Sequence, residues 1–316
     1  MSIPLRAVFC SLLLLSGLSA TGARLSPRAA TPGRPNPPPG QRRAAVASVV
    51  DGTPRELEHK LPELKNLQYA QSQEALPLLL RKVGENVAAF FRDFPNVASD
   101  EQTLVERLTL DLKLEDDRSQ EFQYLAVPRR GGAEGTLVEY RTDDKGRPVK
   151  QLGLRGGYVL TEGFASMSIH LHPAYQPESR FRYLGKQTTK GQEAEVVAFA
   201  QRPEKARQMV GVNLDSRTLT VAIQGVAWID TATFQIVRMR ADLLEPRPDL
   251  ALRRHTVVVQ FGEVRFKERP QPLWLPHEVH VEIEWGRRIY RNFHRYSHFR
   301  LFSVEAEERK PAKPDQ

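Results

Sequence analysis

The run from 273 to 285 constrains the fold most. Leu273, Leu275, Val279, Val281, Ile283 and Trp285 share one parity, while Glu278, His280, Glu282 and Glu284 share the other. Side chains alternate between the two faces of a strand, so this is a strand with one face buried and one wet. Similar segments surround it. Residues 219–230, 234–243, 254–267 and 287–304 read as strands, broken by Asp230-Thr231-Ala232-Thr233, Pro246-Arg247-Pro248 and Gly286. Pro270, Pro272 and Pro276 suit an edge or a bend. Together these strands predict a curved antiparallel sheet or half-open barrel, mainly β within an α+β class.

Upstream, a short helix is expected over 54–65 and a longer one over 74–94. In the second, Leu76, Leu80, Val83, Val87, Phe90 or Phe91, and Phe94 recur at helical spacing. Pro77 fits its first turn and Pro95 stops it. This helix should pack against the concave face of the sheet. Leu104, Leu108, Leu110, Leu112 and Leu114 then alternate with polar residues, predicting one long strand that ends in the polar turn Glu115-Asp116-Asp117-Arg118. Hairpin strands follow at 122–127 and 136–142, then at 180–187 and 193–201. Residues 161–172 read as a short helix carrying Phe164, Met167 and Leu171, and 203–215 as a loop or short helix.

The formal net charge is +8, but residues 1–50 hold six arginines and no acidic residue, leaving +2 for the remainder. A near-neutral body argues against a nucleic-acid reader, whose excess charge would sit on the folded surface. Arg6, an apolar run from Ala7 to Leu18 and small residues to Ala23 have the form of a secretory signal, with cleavage expected after Ala20 or Ala23. Cys10, the single cysteine, lies near the start of that run, so the cleaved chain has neither thiol nor disulfide. The domain map is thus a signal peptide at 1–23, a Pro/Arg-rich linker at 24–66, one domain at 67–304 and a charged tail at 305–316. The linker's prolines and arginines favour an extended spacer, with membrane proximity as its functional reading. The expected location is periplasmic or extracellular.

No Gly-x-Ser-x-Gly elbow, phosphate-binding Gly-rich loop or His-Glu-x-x-His helix occurs. His170 and His172 are weak metal candidates: on a strand they share a face about 7 Å apart, and on a helix they diverge. Arg291 and Arg295 lie in a basic, aromatic last strand with Tyr296, expected to meet a partner or an anionic headgroup.

The segment Gly225-Val226-Ala227-Trp228-Ile229-Asp230-Thr231, leading into Phe234-Gln235-Ile236-Val237-Arg238, and the opening Leu273-Trp274-Leu275-Pro276 resemble the periplasmic lipoprotein-carrier superfamily. That group includes lipoprotein carriers, a related envelope-stress sensor and outer-membrane lipoprotein-sorting proteins. The close Tyr296-Ser297-His298-Phe299-Arg300-Leu301-Phe302 is similar to secreted bacterial proteins placed nearby. The resemblance spans about 103–304 in pattern and implies a half-barrel holding a lipid or a lipidated protein, without catalytic residues or cofactor. Leu104, Leu108, Leu110, Leu112, Val279, Val281, Ile283 and Trp285 are then expected to line the interior. The alternative is an envelope module whose partner is another protein.

Overall fold

The computed structural model describes residues 48–129, 136–149, 164–189, 191–206, 210–214 and 217–303, with only the backbone described over 210–219. The expected signal peptide, the linker up to 47 and the tail at 305–316 lie outside the described residues. No helix among those described is long and apolar enough to cross a membrane.

The chain begins on the outside of the sheet. Helix α1 (Pro54–Lys60) starts at a capping box: Glu56 N donates to Thr53 Oγ1, the Thr53 N–H donates to the Glu56 carboxylate, and Pro54 sits where no backbone donor is needed. A 3₁₀ turn (Pro62–Leu64) and the short strand β1 (Gln68–Tyr69) follow. Residues 48–66 therefore do not belong to a linker. Val49, Val50, Leu57, Leu61, Leu64 and Leu67 are buried against the sheet, enough apolar surface to offset the cost of ordering this proline-containing stretch.

Helix α2 (Leu76–Arg92) buries Leu79, Val83, Val87 and Phe91, a four-residue repeat along one face. Gly84 lies on that stripe because a Cβ there would meet Gln176 Nε2 at 2.8 Å and Pro173 Cγ at 3.1 Å. The long strands are β2 (Val97–Thr109), β3 (Leu114–Pro128), β4 (Leu137–Thr142), β5 (Ser179–Thr189) and β6 (Gln192–Gln201). Then come β7 (Val210–Leu214), β8 (Arg217–Val221), β9 (Ile223–Asp230), β10 (Ile236–Leu243), β11 (Leu252–Val264), β12 (Leu273–Trp285) and β13 (Arg288–Leu301). Eleven of them form one unclosed antiparallel sheet in the order β1-β5-β6-β9-β10-β11-β12-β13-β2-β3-β4, and β7 pairs with β8 separately. The result is the expected half-open barrel with a helix packed inside. Three local expectations are corrected. The long strand over 104–114 is two strands: β2 ends at Thr109, and Leu112 turns the chain at φ +63°. The acidic run 115–118 is inside β3, not in a turn. Residues 210–214, expected in a loop or helix, form β7.

The inner face, toward α2, carries Val197, Phe199, Ala227, Ile229, Met239 and Ala241, and farther along Val257, Val259, Val279, Val281 and Ile283. A 3₁₀ turn (Ala165–Leu171) joins α2 there through Ile169 and Leu171, within the segment expected to be helical. The outer face is covered over β5, β6 and β9 by the 49–67 segment, seated on Ala194, Val196, Ala198, Ala200, Val226 and Trp228. Small alanines leave room for that second layer. No described apolar cluster covers the outer face of β12, β13, β2 and β3.

Candidate ligand-binding face

Residues paired directly across antiparallel strands share a face, and the register therefore fixes what the outer face displays. Trp228 pairs with Arg238, Arg238 with Gln260, Gln260 with Glu278, Glu278 with Arg295, Arg295 with Gln102, and Gln102 with Glu121. One polar row thus crosses seven strands, roughly 29 Å at the usual spacing of about 4.8 Å. The adjacent row runs Arg240, Val258, His280, Phe293, Leu104 and Ser119. It brings an apolar strip beside the polar one.

Two cavities open along these rows. The first, about 540 Å³, is lined by Trp228, Val237, Arg238, Gln260, His277 and Arg295, among others, and begins where the 49–67 cover stops. The second, about 870 Å³, includes Leu104, Phe293, His280, Glu106, Glu121 and Gln102. They share Glu278 and Arg295, forming one track of polar and apolar walls. Both volumes fall in the range typical of ligand sites. The first wall is built by close approach: His277 packs over Gly262, where a Cβ would sit 2.6 Å from the ring. Burial holds the His277 pKa below the usual histidine value.

The expected interior residues divide between faces. Val279, Val281 and Ile283 are inside, at 0–2% exposure, packed in the core. Trp285 is partly buried at the rim, its Nε1 donating to the Leu250 carbonyl at 3.0 Å. Leu104 pairs with Phe293 and Leu108 with Ile289, which places both on the outer face. Leu110 and Leu112 lie in the exposed β2–β3 turn, at 45% and 56% exposure. Arg291 and Arg295 do face outward, each near its cross-strand glutamate: Arg291 Nε to Glu282 at 2.8 Å, Arg295 to Glu278 at 3.8 Å. Tyr296 points the other way. It is 3% exposed and its hydroxyl donates to Glu101, away from the face of the arginines.

Tyr296 belongs to a polar group inside the barrel that the sequence pattern did not disclose. Glu101 accepts from Arg141 Nη2 at 2.7 Å and Tyr296 Oη at 2.7 Å, and lies 2.8 Å from His294 Nδ1. Burial opposes ionisation of Glu101, but the Arg141 charge and these hydrogen bonds outweigh it and hold its pKa at about 2. Arg141 lies between the Tyr124 and Phe164 rings, 5.7 and 5.8 Å from their centroids. Glu139 accepts from Tyr124 Oη and from the Ser166 hydroxyl and N–H at 2.6 and 3.0 Å, fastening the 3₁₀ turn to the sheet. His294 Nε2 and both amide atoms of Asn292 are buried without a hydrogen-bond partner. An oriented histidine with a free nitrogen has the form of a general base, but His294 and Glu101 side chains are 0% exposed.

His170 and His172 are both buried on or beside the 3₁₀ turn. His170 stacks on Phe199, with burial taking its pKa down to about 4. His172 Nδ1 accepts from the Ala174 N–H at 3.2 Å. No group of three or more histidine, cysteine, aspartate or glutamate side chains placed to hold a metal occurs among the described residues.

No family model matches this sequence, and no curated protein matches it. Among solved structures, it is similar to a domain described as an outer membrane lipoprotein-sorting protein from Vibrio parahaemolyticus. That alignment has 10% identity and a TM-score of 0.39, over 72% of this chain and 94% of that one. A DUF1329 family protein from Desulfovibrio piger aligns at 11% identity and TM-score 0.37, over 72% and 95%. The MucA/MucB complex of Pseudomonas aeruginosa gives 11% identity and TM-score 0.21, over 71% and 99%.

Proposed function

We propose that this chain is an exported, non-enzymatic binding protein of the cell envelope that takes an amphiphile, a lipid or lipidated ligand, on its outer face. The carrying observation is the pair of adjoining cavities with an apolar strip beside a polar row. An apolar chain lies over Leu104 and Phe293, while polar groups meet Arg295, Glu278 and Gln260. The interior residues Val279, Val281 and Ile283 are instead buried in one core cluster with Phe94, Phe164 and Phe266, which supports an outer rather than an inner location. The sealed position of the Glu101–His294 pair supports binding over catalysis.

Native mass spectrometry of protein purified from its own envelope, followed by solvent extraction, tests the reading. A bound amphiphile is expected, and its release should accompany Leu104→Asp. Repeated recovery of ligand-free protein contradicts it. The second reading, a protein partner without a lipid, is favoured by the alternating Arg238, Glu278, Arg295 and Glu121 of the polar row, which suits a mixed-charge polypeptide. Capture of a protein partner that is lost on changing Arg295 to Glu, with no lipid present, selects it.

A further inference from the structure

Arg238, a cation of the outer face, has an incomplete set of partners. Its guanidinium carbon lies 4.8 Å from the Trp228 ring centroid, over its directly paired neighbour. Its Nε is buried with no hydrogen-bond partner. The nearest carboxylate, Glu63, is 3.9 Å away and is already held by Arg240 at 2.8 Å, while Arg240 also pairs with Asp242 at 2.7 Å. Burial, ahead of the opposing pull of Glu63, holds the Arg238 pKa below the usual arginine value, as expected of a cation short of counter-charge.

The platform beneath it is fixed. Trp228 Nε1 donates to Gln187 Oε1 at 2.7 Å, and the Gln187 amide donates to the Glu63 and Lys65 carbonyls at 2.8 and 2.9 Å. The covering 49–67 segment thereby locks the indole that Arg238 stacks on. The Arg238 side chain is 22% exposed and lines the 540 Å³ cavity, whose other charged groups are Arg295, Glu278 and Glu263. Glu278 faces Arg295 at 3.8 Å and Glu263 is paired with Arg265, so neither neutralises Arg238.

We infer that Arg238, stacked on Trp228, is the receptor for an anionic group of phosphate or carboxylate type at the head end of the outer-face ligand. A planar guanidinium that lines the cavity and lacks a full set of partners suits a charge-assisted contact to such a group. Stacking on the indole fixes its plane before the ligand arrives. The inference rests on the amphiphile reading for the rest of the ligand, but the anion site itself does not require it.

The test is titration calorimetry of the full chain with three probes: a dodecyl phosphate, a neutral dodecyl glycoside and inorganic phosphate, all below micelle-forming concentration. In Arg238→Gln, dodecyl phosphate affinity should fall about tenfold or more, while glycoside affinity is unchanged. Arg238→Lys, which keeps the charge but not the fork, should lie between, and thermal melts of both variants matching wild type show the fold is intact. Inorganic phosphate binding that is lost in Arg238→Gln, without binding of either amphiphile, supports the anion site and sinks the amphiphile reading. Glycoside binding with equal dodecyl phosphate affinity in wild type and Arg238→Gln overturns the anion site and spares that reading. Binding of none of the probes overturns both.

Discussion

Replacing Arg141 with methionine removes the cation of the interior pair while keeping bulk between Tyr124 and Phe164. The side chains of Arg141 and Glu101 are 3% and 0% exposed, so Glu101 would be left as a buried carboxylate held only by His294 and Tyr296. Breaking such a pair on one side costs about 3–5 kcal/mol. Lowering Glu101 from 4.5 to about 2 corresponds to roughly 3 kcal/mol favouring its charged form in the native state, a net to which Arg141 and His294 both contribute. A group with a depressed folded pKa stabilises fully above its unfolded value, and that contribution is lost as pH falls through the folded one. The gap between wild type and Arg141→Met should therefore be about 3–5 kcal/mol at pH 7 and shrink as pH falls toward about 2. Urea unfolding followed by tryptophan fluorescence across this range measures it. Changing Glu101 to Gln in the same chain should restore most of the loss, because a neutral buried pair carries no unpaired charge. A deficit under about 1 kcal/mol at pH 7, or one that does not change with pH, refutes the account of this cluster.

Further outcomes follow from the same packing. Asn292 lies in an inner row with Val105, Val281 and Val257, its amide unpartnered; Asn292→Leu should raise stability by about 1 kcal/mol in chemical denaturation. His255 is buried, and desolvation lowers its pKa from 6.5 to about 4, so it disfavours the native state as pH falls through that window. His255→Leu should flatten the decline in stability between pH 6.5 and 4, seen in melts at each pH. Leu110→Ser and Leu112→Ser should each change stability by less than about 0.5 kcal/mol, because both side chains are already in water.

The strands and α2 were legible because their apolar residues keep a strict period: β12 alternates cleanly, and α2 repeats every three or four residues. Alternation gives two faces without saying which is inside. In β12 the apolar parity is the inner one. In β2 the parities are mixed: Glu101 and Thr103 share the inner face with Val97 and Val105, while Leu104 lies on the outer face and Leu108, on that same face, is buried beside Ile289. Hydrophobicity alone therefore grouped Leu104 with Val279, although the register sets them on opposite faces. That mixing marks both the buried cluster and the outer-face strip. Arg141 and His294 meet Glu101 from 40 and 193 positions away, and no local spacing announces such a meeting. The helix expected over 54–65 is there, as α1 and a 3₁₀ turn, and the linker boundary at 66 is too late because composition outweighed the capping box at Thr53 and the leucines at 57, 61 and 64.

The ligand's position is the central claim, and photolabelling reads it directly. The full chain is irradiated with a single-chain amphiphile bearing a diazirine near the end of its alkyl chain, and the labelled residues are located by peptide mass spectrometry. Labelling should fall on the outer-face strip, at Leu104, His280 and Phe293, and diminish in Leu104→Asp. Labelling concentrated on Val279, Val281, Ile283 or the buried stripe of α2 would place the ligand inside the barrel and contradict the account.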